Sequence, residues 1–421
     1  MAKHYISPRW SNELLDCSMP MTFDTYNKCS FNCLYCFSYY QKSHNARKKN
    51  YQEAPLQWVD IKLIKRMFLG SSKTQFDDFM KDKVVMQWGG LAEPFDNYEK
   101  QNGKTLELLK FFDEIDYPLS FSTKATWFVY DKRYINLIKK HAHNWHFKFS
   151  IINLDKEKAK NMEVGVDSPQ DRIKAIKVLA DLGLHITLRL RPFIIGYSNI
   201  NQEHLELIKL ARKAGADSIS TEFFCLEQRA DSRLKARYEQ MSKIIGFDIL
   251  NFYRLHSIKR GYLRLNYTIK SKYVNEMKDL CDKIGMRFYV SDAHHKDKCS
   301  NGSCCGLPCS FNYSRGQFTE ALCIAKEKGK VRFSDINKGM GTFKKILWRK
   351  ACGLNTKGNE WRNKAGELTL YQFIRNKWNT PNDPNSPYKY FQGALVPIGI
   401  DKKKDIIYKY QNKDNDNKAS N

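Results

Sequence analysis

The sequence has no run of about 18 consecutive apolar residues, the length needed to cross a bilayer. Its first ten residues, Met1 to Trp10, hold no apolar stretch of the kind that heads a secreted chain. Together these absences predict a cytoplasmic protein. Acidic residues are scarce: 45 Asp and Glu stand against 71 Lys and Arg, a formal net charge of +26. Drift toward lysine explains Lys in place of Arg, but not the missing acids. The balance favours a polyanionic partner, with nucleic acid the foremost class. In a reducing compartment the twelve cysteines point to metal or redox chemistry and away from disulfides.

Three of those cysteines carry the most information: Cys29-Ser-Phe-Asn-Cys33-Leu-Tyr-Cys36. Thiolates at i, i+4 and i+7 can converge from one short loop. Three of them satisfy three irons of a 4Fe–4S cube and leave the fourth iron open. A cluster that only carries electrons normally has four protein ligands, so one with three is built to hold something else. The alternatives are a structural zinc or three unrelated buried thiols. Zinc prefers four closed ligands, often as paired C-x₂-C units, and no fourth cysteine lies in this loop. The spacing, with Tyr35 just before the third cysteine, resembles the radical S-adenosylmethionine (SAM) superfamily. The resemblance implies a 4Fe–4S cluster whose open iron is chelated by the amino and carboxylate groups of SAM. It also implies reductive cleavage of SAM to a 5′-deoxyadenosyl radical, with electrons from an external donor of flavodoxin or ferredoxin type.

Residues 20–225 read as alternating strands and helices, the pattern of a parallel α/β sheet or barrel. Strands are predicted at Met21–Thr25, Val84–Trp88, Leu119–Lys124, Phe147–Ile152, His185–Arg191 and Ser218–Phe224. Ser168-Pro169-Gln170-Asp171 starts a helix well, with Ser at N-cap, Pro at N1 and an acid at N3. Glu203–Ala214 is the next helix, and Asp231–His256 reads as helical. Strands at Tyr262–Tyr267 and Met286–Ser291 flank a helix at Lys270–Gly285.

The phase of the strands is informative. In a β/α barrel the helices cover an apolar outer face and the other face points into the lumen. Ile186, Leu188 and Leu190 face outward, so Thr187, Arg189 and Arg191 point inward. By the same phase Ser120, Ser122 and Lys124 line the lumen, as do Lys148, Ser150, Ser218, Ser220 and Glu222. The predicted fold is therefore a partial (β/α)6, TIM-like barrel whose lumen holds a polar cofactor, with a cysteine-rich C-terminal extension. The predicted segments are a lead-in at 1–19, the core at 20–230 and a connecting α/β stretch at 231–295. A cysteine-rich segment at 296–330, a basic aromatic cap at 331–408 and a disordered tail at 409–421 follow.

Trp88-Gly89-Gly90-Leu91-Ala92-Glu93-Pro94-Phe95 follows a strand and resembles the radical SAM glycine motif that receives the SAM amino group. Glycine suits a backbone that must approach a ligand closely. The run Gly90–Glu99 resembles one branch, spore photoproduct lyase and the DNA repair photolyase-like proteins. So do Phe121-Ser122-Thr123-Lys124, Phe149-Ser150-Ile151 and Met162-Glu163. The same holds for Ser168-Pro169 with Arg172, leading into Leu190–Gly196. The resemblance covers roughly half the chain and implies a lyase-like enzyme acting on a nucleic acid or nucleotide. It implies that Lys124 contacts the carboxylate side of SAM, Ser150 the ribose, and the turn at Ile195 the adenine. Tyr35, Gly89, Gly90 and Glu93 complete the implied cofactor site, with Arg189 and Arg191 as further candidates. For those two arginines an ion pair with Glu222 or Asp24 is an equal reading. That branch carries a hydrogen-donating cysteine in the loop after the second strand, and here the loop has no thiol.

A second group, Cys299, Cys304, Cys305 and Cys309, lies in a turn-rich stretch. It is a possible site for an auxiliary 4Fe–4S cluster or a zinc. Otherwise Cys304 or Cys305 is a candidate hydrogen donor. Residues Val331–Asn421 carry 18 Lys and Arg against 8 Asp and Glu. Phe343, Trp348, Trp361, Tyr371 and Trp378 interleave with those cations. That pattern suits either stacking on unpaired bases or an aromatic core. Two further functions stay open: radical SAM modification of a peptide or small molecule, and a non-catalytic, zinc-containing nucleic-acid-binding protein.

Overall fold

The computed structural model of the protein describes residues 4–11, 15–39, 53–228, 230–260, 262–346 and 368–412. The chain divides into two compact units. The first comprises residues 1–8, 22–65 and 86–288, and the second residues 9–21, 66–85 and 289–421.

The first unit is built on a mostly parallel sheet. Six of its strands are β1 (Met21–Phe23), β2 (Met86–Trp88), β3 (Leu119–Thr123), β4 (Trp145–Ser150), β5 (His185–Phe193) and β6 (Ser218–Phe223). They lie side by side in that order, each parallel to the next. Parallel neighbours need a crossover, and helices supply it: Lys104–Glu114, Lys132–Lys140, Pro169–Asp181 and Glu203–Lys213. The helix at Pro169 starts as its sequence requires, because Ser168 Oγ accepts the backbone N–H of Asp171. The predicted Asp231–His256 helix is two helices, Ser232–Ile245 and Ile249–His256. Gly246, at φ +92°, breaks it, because a left-handed residue ends the α ladder.

The outward face of the strands is apolar and buried: Phe121, Phe147, Phe149, Ile186, Leu188 and Leu190 are at most 0% exposed. The opposite face is polar: Ser120, His146, Lys148, Ser150, Thr187 and Ser218 are buried, while Lys124, Arg189, Arg191 and Glu222 are half-buried. Along it a hydrogen-bonded chain crosses four strands. Ser120 Oγ meets His146 Nδ1 at 2.9 Å, His146 Nε2 meets Thr187 Oγ1 at 2.7 Å, and Thr187 meets Ser218 Oγ at 2.7 Å. Burial drives the His146 pKa well below its usual value, and Lys148 nearby adds to the effect. The predicted β4 began at Phe147. The strand starts two residues earlier, which adds His146 to the inward set.

The second unit carries the cysteine-rich segment and a three-stranded sheet of Lys330–Val331, Ile406–Tyr410 and Leu395–Ile400, with the middle strand antiparallel to both others. Tyr410 lies in that sheet, inside the stretch predicted as a tail, while residues 413–421 lie outside the described residues. Phe343 and Trp378 are buried core residues, and Trp378 Nε1 donates to the Ile406 carbonyl at 2.7 Å. Those two rings are unavailable for stacking on bases. Trp348 and Trp361 lie outside the described residues.

Candidate functional site

The C-terminal ends of parallel strands are where a βα fold gathers loops and ligands. Here the loops after β1, β2 and β3 hold the residues singled out by sequence. Gly89 follows β2 with φ +86°, and a Cβ there would stand 2.5 Å from the Ser122 carbonyl oxygen. Only glycine fits. The loop is held from below by Asp24, whose Oδ1 accepts the backbone N–H groups of Leu91 and Ala92 at 2.9 and 3.0 Å. Gly90 is half-buried in the same bend.

Glu93 is buried and turned toward β3. Its carboxylate accepts the Thr123 hydroxyl at 2.6 Å and the backbone N–H of Lys124 at 2.9 Å. Burial raises its pKa to about 7 despite those donors. Asp96, pushed up to about 6 by burial against its hydrogen bonds from Ser30, receives the Ser30 N–H at 2.5 Å. Asp96 thereby ties the cysteine loop to the glycine loop. Glu99, the later acid of the motif, accepts four hydrogen bonds: from Tyr26 and Tyr134 hydroxyls and from the N–H groups of Thr105 and Leu106. It sits at the N-terminus of the helix Lys104–Glu114, where a carboxylate is favoured, and its role is to brace the loop.

The cysteine loop itself is fixed at its middle. Asn32–Cys33 pairs antiparallel with Glu163–Val164. Under that pairing lies a buried triad. Arg172 Nη2 bonds Glu163 Oε2 at 2.5 Å, Tyr35 donates its hydroxyl to Glu163 Oε1, and Arg172 Nη1 donates to the Ser150 carbonyl at 2.5 Å. From the far side Arg237 donates to the carbonyls of Leu34 and Cys33 and to Asn32 Oδ1 at 2.9 Å. Nothing local in the sequence marks Arg237, which lies some 200 positions away. Lys124 Nζ stands 5.7 Å from the centre of the Tyr35 ring.

Cys29, Cys33 and Cys36 are in no disulfide, Cys33 buried and the other two half-buried. Burial, with Asp96 and Glu93 adding repulsion, pushes the Cys29 thiol well up. Burial likewise takes Cys33 to about 12, although Lys124 opposes it. Such thiols ionise only with a strong positive partner, and a bound metal supplies one. The three sulfurs do not all lie within 4.8 Å of one another, as the ligands of one ion would.

The remaining candidates gather along the inward face. Ser150 is buried, and its Oγ accepts from Arg189 Nη1 at 3.2 Å. Arg191 is ion-paired with Glu222, one of the two partners expected for it. Ile195 is half-buried in the turn Ile194–Ser198. Sequence reading missed Tyr197 two positions on. Its hydroxyl is buried without a hydrogen-bond partner, as is Ser122 Oγ, and both the Cys33 and Glu163 charges act on it. Two buried hydroxyls without partners are groups that a polar ligand would satisfy. The residues therefore fit a cluster at the three cysteines and SAM beside Gly89.

The second cysteine group behaves differently. Cys299 and Cys304 are buried, Cys305 half-buried and Cys309 exposed. Among the described residues no three of them bring their sulfurs within 4.8 Å of one another, so they do not converge on a single zinc. Cys299 Sγ instead accepts the Val290 N–H at 3.3 Å. Cys304 hydrogen-bonds Cys305, and that bond and burial raise its pKa well above the usual value. Beside them Lys296 and Asp16 form a buried ion pair at 2.6 Å. Both candidate hydrogen donors, Cys304 and Cys305, belong to the second unit.

No protein-family model matches the sequence, and no curated protein matches it. Solved structures do. A mutant of spore photoproduct lyase superposes with a TM-score of 0.50 at 14% identity, over 68% of this chain and 79% of that one. A structure of the same enzyme with bound AdoMet and dinucleoside spore photoproduct gives 0.48 at 15%, over 65% and 77%. Streptococcus suis SuiB bound to S-adenosylmethionine gives 0.35 at 17%, over 54% and 48%. The chain thus has the fold of spore photoproduct lyase, the branch of the radical SAM superfamily that its motifs resemble.

Proposed function

We propose that this protein is a radical SAM enzyme. Cys29, Cys33 and Cys36 would hold a 4Fe–4S cluster, and the loop at Gly89 and Gly90 would take the SAM amino group. Lys124 would neutralise the carboxylate side, and Ser150, with Arg189 behind it, would meet the ribose. Glu93 fixes the backbone of Lys124, and the turn at Ile195 would lie along the adenine. When bound, the cluster and SAM supply reductive cleavage of the sulfonium to a 5′-deoxyadenosyl radical, with electrons from a flavodoxin or ferredoxin type of donor.

The observation that carries this reading is the braced cysteine loop. Three thiols lie on a loop that Asp96 ties to the loop of Gly89, a glycine that tolerates no side chain, and both loops follow strands of a parallel sheet. The test is anaerobic reconstitution followed by reduction with SAM. Brown protein that yields 5′-deoxyadenosine supports it. A Cys29→Ala, Cys33→Ala, Cys36→Ala variant that keeps the activity overturns it.

For the substrate we infer a nucleic acid or nucleotide. The net charge of +26 supports this class. So does the lyase of similar fold, one structure of which holds a dinucleoside spore photoproduct. Binding to a single strand should weaken with salt by a log–log slope of about −0.7 per phosphate contact. Salt-independent binding redirects the assignment to a peptide or small molecule. The loop from Gly89 to Glu99 holds no thiol, in contrast to the branch its motifs resemble.

A further inference from the structure

At the opposite end of β3 and β4, away from the cysteine loop, two imidazoles and a carboxylate converge. The helix Lys104–Glu114 runs out at Asp116, the last turn before β3, and the helix Lys132–Lys140 runs out at His141 and His143, just before β4. His141 Nδ1 and His143 Nε2 each stand 3.3 Å from Asp116 Oδ1. The three ligand atoms all lie within 4.8 Å of one another. Among the described residues this is the sole group of three or more His, Cys, Asp or Glu side chains that does so.

The protonation of His141 is set from behind. Its Nε2 lies 2.8 Å from Asp113 Oδ1, a carboxylate that only accepts, so Nε2 carries the proton. The ring is stacked on Trp145 at 4.3 Å between centroids and 15° between planes, which fixes its orientation. In the neutral ring Nδ1 then presents a lone pair. That nitrogen is buried, has no hydrogen-bond partner, and faces the Asp116 carboxylate. Two acceptors face one another across 3.3 Å, an arrangement that a metal ion between them, or a second proton on the ring, would relieve. The His141 side chain is 6% exposed, whereas His143 and Asp116 are open to solvent at 61% and 54%. An ion has a route in.

We propose that Asp116, His141 and His143 bind a divalent transition metal of the zinc class, with water completing the shell. The spacing fits. Donors about 2.0–2.1 Å from a tetrahedral zinc stand roughly 3.3 Å apart, as each histidine nitrogen does from Asp116 Oδ1. Asp113 supplies the carboxylate behind the histidine that such ligands almost always have. Nitrogen and carboxylate donors without sulfur suit zinc, cobalt or nickel and disfavour soft ions. Asn144 Nδ2 donates to Asp116 Oδ1 at 2.8 Å and steadies the carboxylate. The site would clip together the two loops that feed β3 and β4. At the N-terminal edge of a βα sheet, such a role is one of stability, not of chemistry.

The test uses the full-length protein. Zinc is added, excess is dialysed away and bound zinc is counted in the wild type and in His143→Ala. The exposed His143 can be removed without opening the core, and thermal unfolding in chelator should be the same for both proteins. The wild type is expected to retain one zinc more than the variant and to gain in melting temperature on adding zinc where the variant does not. Asp113→Asn should weaken binding roughly 10- to 100-fold. Cobalt separates this site from the cysteines: nitrogen and oxygen ligands give visible d–d bands without the thiolate charge-transfer band. Equal zinc counts, or a cobalt spectrum unchanged by His143→Ala, overturn the proposal. In that case His141 is a protonated imidazolium shared by Asp113 and Asp116.

Discussion

Replacing Arg172 with Met tests the claim that a buried ion pair holds the cysteine loop. Arg172 and Glu163 side chains are 1% and 2% exposed and 2.5 Å apart. Burial alone would raise the Glu163 pKa, but Arg172, with help from Lys124, keeps it below the usual carboxylate value. Methionine fills much of the same volume and removes the charge. Glu163 is then a buried carboxylate with Tyr35 as its chief remaining donor. Breaking such a pair costs about 3–5 kcal/mol, and the lost bond to the Ser150 carbonyl is part of that sum. Against a typical domain stability of about 5–15 kcal/mol the shift in a urea titration at pH 7.5 should be plain. Adding Glu163→Gln removes the stranded charge and keeps a partner for Tyr35. The double variant should therefore regain roughly half of the loss or more, a coupling measurable by a double-mutant cycle. Iron uptake on anaerobic reconstitution should follow the same order: wild type, double variant, single variant. A single variant that loses under about 1 kcal/mol, or a double variant no more stable than the single, would refute the reasoning.

Two further outcomes follow from the same face of the sheet. Gly89→Ala meets both a positive φ and the Ser122 carbonyl at 2.5 Å; it should cost about 1–3 kcal/mol in a denaturant titration and weaken SAM binding in calorimetry. His146 is buried with its pKa depressed, chiefly by desolvation, so the folded state keeps it neutral while the unfolded chain protonates near its ordinary value. Its contribution is fully present above about pH 6.5 and is lost as pH falls, by about 1.4 kcal/mol per unit. His146→Gln should flatten the pH dependence of stability between pH 7 and 5.5, and an unchanged slope would show that the ring is not held neutral.

How much of this was legible in the sequence depends on the range over which each feature is encoded. The alternation of strands and helices, the Ser168–Pro169 helix start and the inward phase of Ser120, Ser122, Arg189 and Arg191 are local. They follow from side-chain period and from capping, which operate within a few residues. The spacing of Cys29, Cys33 and Cys36 is local too, and so was the glycine that a close backbone approach demands at Gly89. The break at Gly246 was missed because helical periodicity continues on both sides of it.

What tertiary structure alone decided are the contacts between distant positions. Glu163 could be quoted from a motif, but its pairing with Arg172 and Tyr35 needed a helix and a loop brought together under the cysteines. Arg237 reaches the backbone of Cys33 and Leu34 from a helix that no local pattern ties to them. Arg191 had two equal partners on paper, and strand register put Glu222 beside it. The cysteines from 299 to 309 are close in sequence, yet folding buries two of them and exposes Cys309. The convergence that does exist, at Asp116, His141 and His143, lies between two helix ends in an unremarked stretch. Ligand geometry is a property of space, and only the packing of those ends against the sheet creates it.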